Sequence, residues 1–245
     1  MSTQVARLWL HDDSEEDLVG ADWHQDSIRT TVYSLRDEAE ETDLPWHIGD
    51  QLTLVAWQPN GSPWRPSPDV MVHPHLGPLR LREVDARTQG LPALVIEVLS
   101  KSTAAYDMDS EQGKTAGYRA LGIEEILLFD PLGEFMAEQF RGWQRTGSGY
   151  QPWQADAQSR YWSRTLGVGF TAEHTLPRVY NRQGRLIPLH GERRRMLAEE
   201  RQRLAEERQR LAEERRLRTE QQKHITRLQA ELERLRGKET PPGRT

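Results

Sequence analysis

The sequence predicts a mixed α/β domain followed by a long, charged C-terminal helix. Three observations carry this. All eight tryptophans of the 245-residue chain precede residue 190, whereas residues 192–239 are mostly Glu, Arg, Leu, Ala and Gln with no aromatic residue. Helix-like and strand-like patterns alternate through the first part. The tail repeats in heptads. The expected organisation is a globular domain over 1–190, a heptad-repeat helix over 191–239 and a disordered end over 240–245.

Residues 1–13 read as a loose leader. From Glu15 to Leu44 the pattern is helical, with Ile28, Val32 and Leu35 at helical spacing and Leu44-Pro45 closing it. Trp46 to Trp57 is strand-like, and Pro59 to Pro63 is a turn. Asp69-Val70-Met71-Val72 is a short strand entered through Pro68. Leu94 to Leu99 is apolar and β-branched except for Glu97, which predicts a buried strand. Asp107 to Leu121 reads as one helix stopped by Gly122. Ile126 to Phe129 is another apolar strand, ending in Asp130-Pro131. Phe135 to Tyr150 reads as a hairpin turning near Gly147-Ser148-Gly149. Short strands then run to Leu189, with Trp143, Trp153 and Trp162 packing that C-terminal sheet.

The tail repeats Leu-Ala-Glu-Glu-Arg almost unchanged from Leu197, Leu204 and Leu211. Those leucines share a phase with Ile225 and Leu232, interrupted by Arg218. The second seam position holds Glu200, Glu207, Glu214 and Gln221 before Leu228 and Leu235 restore it. Pairs from Glu199 to Arg203, Glu206 to Arg210 and Glu214 to Arg218 support the helix at about 0.2–0.5 kcal/mol each. The tail predicts a coiled coil that makes the chain a homo-oligomer, a dimer, which would place two sites together. A solvated single helix is the competing reading.

The net charge is −5 and there is no cysteine. Disulfides and thiolate metal sites are therefore excluded. No stretch approaches the roughly 20 apolar residues of a membrane span, and no apolar leader opens the chain. A cytoplasmic protein without membrane contact is expected.

Glu97 is the most informative residue. An ionised carboxylate in an apolar strand costs several kcal/mol unless it is paired or binds a metal. Asp69 follows Pro68, and Lys114 lies 17 residues beyond Glu97. Asp107, Glu111, Lys114 and Tyr118 fall at spacings of four, three and four, one helical face. Two hard oxygen ligands suit Mg²⁺, with Mn²⁺ as a substitute. A metal so held polarises a phosphoryl oxygen and acidifies its bound water. A lysine beside it stabilises charge developing on phosphorus. Together these point to metal-assisted phosphodiester hydrolysis.

Pro68-Asp69-Val70, then Val95-Ile96-Glu97-Val98-Leu99-Ser100, Ser102-Thr103, Asp107, Lys114, Tyr118, Gly122-Ile123-Glu124-Glu125 and Phe129-Asp130-Pro131 resemble the Uma-two family. That family belongs to the PD-(D/E)xK nuclease superfamily, among the restriction endonucleases. The match is dense over 68–131 and extends across 15–189. It implies a restriction-endonuclease-like fold, a Mg²⁺-dependent endonuclease acting on DNA, and Asp69, Glu97 and Lys114 as the catalytic set. The superfamily lysine usually lies two residues after the acid, at Leu99 here. The resemblance moves it to Lys114, with Lys101 as the competitor. It also implies Glu16 as a third metal-binding acid, four residues before Gly20. The family aromatic beside Glu124 is Glu125 here, read as a structural change.

Supporting roles fall to Tyr118, Ser100 and Asp107. Tyr118 is read first as packing, Ser100 as a turn residue, and Asp107 as a helix cap ahead of a metal ligand. His73 and His75 are read as an exposed loop pair, and Asp130 as a turn residue. The alternative function is a weak or inactive nuclease-fold binding module acting through its coiled coil.

Overall fold

The structure, a computed structural model, describes residues 19–58, 61–109 and 111–238. Chain contacts divide it into two compact units, one ending at Leu189 and one starting at His190. The elements of the first unit are α1 (Val19–Glu41), β1 (His47–Asp50), β2 (Thr53–Trp57), β3 (Pro63–Trp64), β4 (Val70–His73), β5 (Glu83–Asp85) and β6 (Leu94–Val98). Then come α2 (Ala104–Met108), α3 (Lys114–Leu121), β7 (Glu125–Phe129), β8 (Phe140–Thr146), β9 (Gly149–Pro152), β10 (Tyr161–Trp162), β11 (Gly169–Glu173) and β12 (Leu176–Tyr180). The described residues of the second unit form one helix, α4 (His190–Lys238).

Six strands form one mixed sheet in the order β1-β4-β6-β7-β8-β9. Only β6 and β7 run parallel, and the α2–α3 segment makes the crossover between them. This mixed α/β arrangement with its long C-terminal helix is consistent with the restriction-endonuclease-like fold. Strand alternation sorts the core into two faces. Val70, Val72, Leu94, Ile96 and Val98 join Ile28, Val32 and Leu35 of α1. Met71 and Val95 point the other way and join Leu54, Tyr118 and Ile126. Thus α1 covers one face, and α3 with the β3-β2-β5 sheet covers the other.

The strand-like stretch 46–57 is two strands, because Gln51 takes a left-handed φ of 48° and donates its N–H to the Asp69 carbonyl. The hairpin is β8 and β9 around Gly147-Ser148. The residues just before it form a turn in which Asp130 Oδ2 accepts the N–H groups of Phe135 and Met136. His73 is not in an exposed loop. It ends β4, is buried, and pairs in register with His47, while His75 alone is exposed. Trp153 packs with Phe140 and Tyr161 under the main sheet, and Trp143 sits on β8 beneath the Arg119 guanidinium.

The expected helix 107–121 breaks into α2 and α3. Asp109 Oδ1 accepts the N–H groups of Glu111 and Gln112, a local turn that competes with helix continuation. Gly113 then passes so close to α2 that a Cβ there would lie 1.9 Å from the Tyr106 carbonyl oxygen. Gly122 ends α3 as predicted, in the left-handed region at φ 84°. Gly113→Ala is expected to push α3 off α2 and cost about 1–3 kcal/mol, as overpacking does. Urea unfolding at unchanged m checks it.

Within α4, Arg218 pairs with Glu214 at 2.7 Å as expected, whereas Arg203 turns to Glu200 at 3.8 Å. No described helix is long and apolar enough to cross a membrane.

Candidate active site

The β4–β6 ladder assembles the site. Val70 pairs with Ile96 and Met71 with Val95, so the antiparallel register continues to bring Asp69 alongside Glu97. Asp69 closes the gap by accepting the Val98 N–H on Oδ2 at 2.8 Å. Glu97 shares the sheet face of Val95, the face that α3 covers. It is 0% exposed.

Three groups meet Glu97. Lys114, the first residue of α3, places Nζ 2.9 Å from Oε2. Tyr118, one helical turn on, donates its hydroxyl to Oε1. The Tyr118 ring is held in turn by Trp64, with centroids 5.2 Å apart. Tyr118 therefore packs and also fixes the carboxylate. Lys114 reaches a second acid, Asp107, at 3.3 Å from Oδ1.

Asp107 caps no helix end. It lies inside α2, 1% exposed, and α3 starts from Gly113 without a side-chain cap. Among the described residues neither carboxylate oxygen of Asp107 has a hydrogen bond, and the Lys114 charge lies beside it. Thr115 binds its main-chain carbonyl instead.

One residue of the site was not among the predicted set. His24 of α1 brings Nε2 to 3.4 Å from Asp69 Oδ2. Its position on the polar shoulder of the helix, one turn before Ile28, is the signal that could have marked it. Gln51 approaches the other Asp69 oxygen at 3.5 Å.

Ser100 stays in the turn, sharing hydroxyl bonds with Ser102 and Thr103. Lys101 is exposed there, and Leu99 is buried in the core. Glu111, expected on the same helical face as Lys114, is exposed in the turn between α2 and α3. Glu16 lies outside the described residues. Glu125 is structural: buried at the start of β7, it accepts the Ser163 hydroxyl and the N–H groups of Arg164 and Thr165.

The electrostatics follow from three buried acids around one lysine. Burial pushes the Glu97 carboxyl up to about 8, and the charges of Asp69 and Asp107 add to this against the pull of Lys114. Burial acts on Asp69 in the same direction, but the bonds from His24 and the Val98 amide outweigh it and hold Asp69 below its ordinary value. The Asp69 hydrogen bond raises His24 in return.

Among the described residues no cluster of three or more His, Asp or Glu side chains is arranged to hold a metal. Two adjacent carboxylates remain, with an orphaned buried oxygen on Asp107 nearby. Such a set fits a hard divalent cation that keeps most of its waters, as Mg²⁺ does.

The family model described as Uma2, "Putative restriction endonuclease", matches residues 15–178. No curated protein matches the chain. The match takes in well over half of the sequence, including α1, the β4–β6 ladder and both crossover helices, and the chain belongs to the Uma2 family.

Proposed function

We propose that the protein is a metal-dependent endonuclease that hydrolyses phosphodiester bonds in DNA. The convergence of Asp69, Glu97 and Lys114 on one sheet face, in a chain of this family, is the observation that supports it. Asp69 and Glu97 would hold Mg²⁺ or Mn²⁺, and Glu16 is the third acid that the resemblance implies. When bound, such an ion supplies Lewis acidity to a phosphoryl oxygen and lowers the pKa of coordinated water.

The chain's own residues do the rest. His24 and the Val98 amide keep Asp69 ionised and fix one of its oxygens. Tyr118 locks the rotamer of Glu97 from a buried position. The Lys114 side chain keeps partial exposure, 19%. It can meet an incoming phosphate while still touching Glu97, and so offset charge that develops on phosphorus.

Supercoiled plasmid is the substrate for the test, with Mg²⁺ or Mn²⁺ present. The wild type is expected to nick it and EDTA to stop it. Asp69→Ala and Lys114→Ala are each expected to lose at least about 100-fold, the scale of a lost metal or oxyanion partner. A folded wild type that cuts with neither cation would leave the binding-module reading instead.

A further inference from the structure

We propose that α4 pairs with α4 of a second copy of this chain in antiparallel orientation, with the two-fold axis at Leu217. The apolar residues of the heptad seam, from Leu197 to Leu235, are 43–56% exposed in the single chain. They form a stripe along a 49-residue helix, and such a stripe is buried only against another surface. The charge pattern decides what that surface is.

In a parallel, in-register pair each seam residue meets its own copy. Glu200, Glu207 and Glu214 would then form three like-charged layers, and Arg218 a fourth. Flanking Arg203 and Arg210 would face the partner's Arg208 and Arg215. Desolvating like charges in this way opposes association.

Antiparallel pairing places one seam phase against the other. Leu197 then meets the partner's Leu235, and Leu204 meets the partner's Leu228. By symmetry each of these layers occurs twice. Near the axis Glu214 faces the partner's Arg218, extending the 2.7 Å Glu214–Arg218 pair within each helix into a four-charge network. Glu200 and Glu207 face the partner's Leu232 and Ile225, which their methylene stems cover while the carboxylates reach water. On the flank Arg203 faces the partner's Glu231, and Leu217 meets its own copy. On the flanks between Leu197 and Leu235 the one like-charge contact is Arg215 with itself, beside the Glu214 carboxylates.

The thin N-terminal seam and the good C-terminal seam thus complete each other. Each chain enters the rod from an opposite end, so pairing does not bring the two His190 positions together.

The chain has no cysteine, so single introduced thiols report orientation in the full-length protein. Light scattering is expected to give twice the 28.4 kDa of one chain. Under mild oxidation Leu217→Cys is expected to cross-link to itself. Leu204→Cys is expected not to, but to cross-link with Leu228→Cys when the two proteins are mixed and reannealed. Spin labels at position 197 are expected about 57 Å apart, from 38 residues of helical rise at 1.5 Å each. Circular dichroism of each variant checks that the helix is intact. A monomer at micromolar concentration, a different stoichiometry, or self-cross-linking of Leu204→Cys overturns the proposal.

Discussion

Glu97→Gln is expected to abolish metal-dependent nicking, by about 1,000-fold or more, while leaving the fold in place. The amide keeps the shape and the contacts to Lys114 and Tyr118 but cannot become an anionic ligand. The folded carboxyl titrates near 8 against an ordinary 4.5. Between those values the folded chain keeps a proton that the unfolded chain has lost. The stability this contributes is complete below about 4.5 and is lost as pH rises through about 8. Without metal, Glu97→Gln should match the wild type in urea near pH 6 and exceed it near pH 9. Mg²⁺ binding needs the ionised form, so at pH 7 it should release a proton. Calorimetry in two buffers of different ionisation enthalpy measures that release, and nicking should rise with pH toward about 8. A large loss of stability in Glu97→Gln, with no metal effect on the wild type, would mark the cluster as a purely structural ion pair.

The second large effect is on stability. Glu125→Ala should cost about 1–3 kcal/mol, because it strands the buried Ser163 hydroxyl and removes the acceptor of the Arg164 and Thr165 amides at the edge of the turn. Glu125→Gln should recover part of the loss by accepting the same bonds. Burial holds the Glu125 carboxyl above its ordinary value, against the bonds from Ser163, Thr165 and Arg164. Its stabilising share therefore fades as pH rises above the ordinary carboxylate range. Chemical denaturation of both variants at pH 5 and pH 8 tests the size and the sign.

Much of this architecture was legible because burial writes itself into strands. Five apolar neighbours around Glu97 marked a buried strand, and Gly122 and the next apolar run marked a helix end and a further strand. The family pattern led to Asp69 and Lys114, and the structure brings both to Glu97. The helix break between Met108 and Lys114 was not legible. Asp109 and Gly113 signal a turn only when α2 is already packed against α3. Asp107 looked like a cap because acids before helices usually are. Its place inside α2 depends on that same break. His24 was hidden for another reason. Its spacing one turn before Ile28 marks a helix face but not a target, and only the packing of α1 on the sheet aims it at Asp69. His73 was misread because a neighbouring Pro-His-Leu-Gly stretch masks the last residue of a buried strand.

The site exists only as a tertiary object, and this bears on when the chain can act. Asp69 and Glu97 become neighbours through a ladder between distant segments, and Lys114 joins them only after the crossover onto β7 is under way. Non-local pairings of this kind form late, since loop closure must precede the contacts that reward it. A nascent or partly unfolded chain carries the same three side chains scattered in solvent, where they lack any shared chemistry. The three side chains therefore meet only once β4 has paired with β6, and opening β4 from β6 parts Asp69 from Glu97.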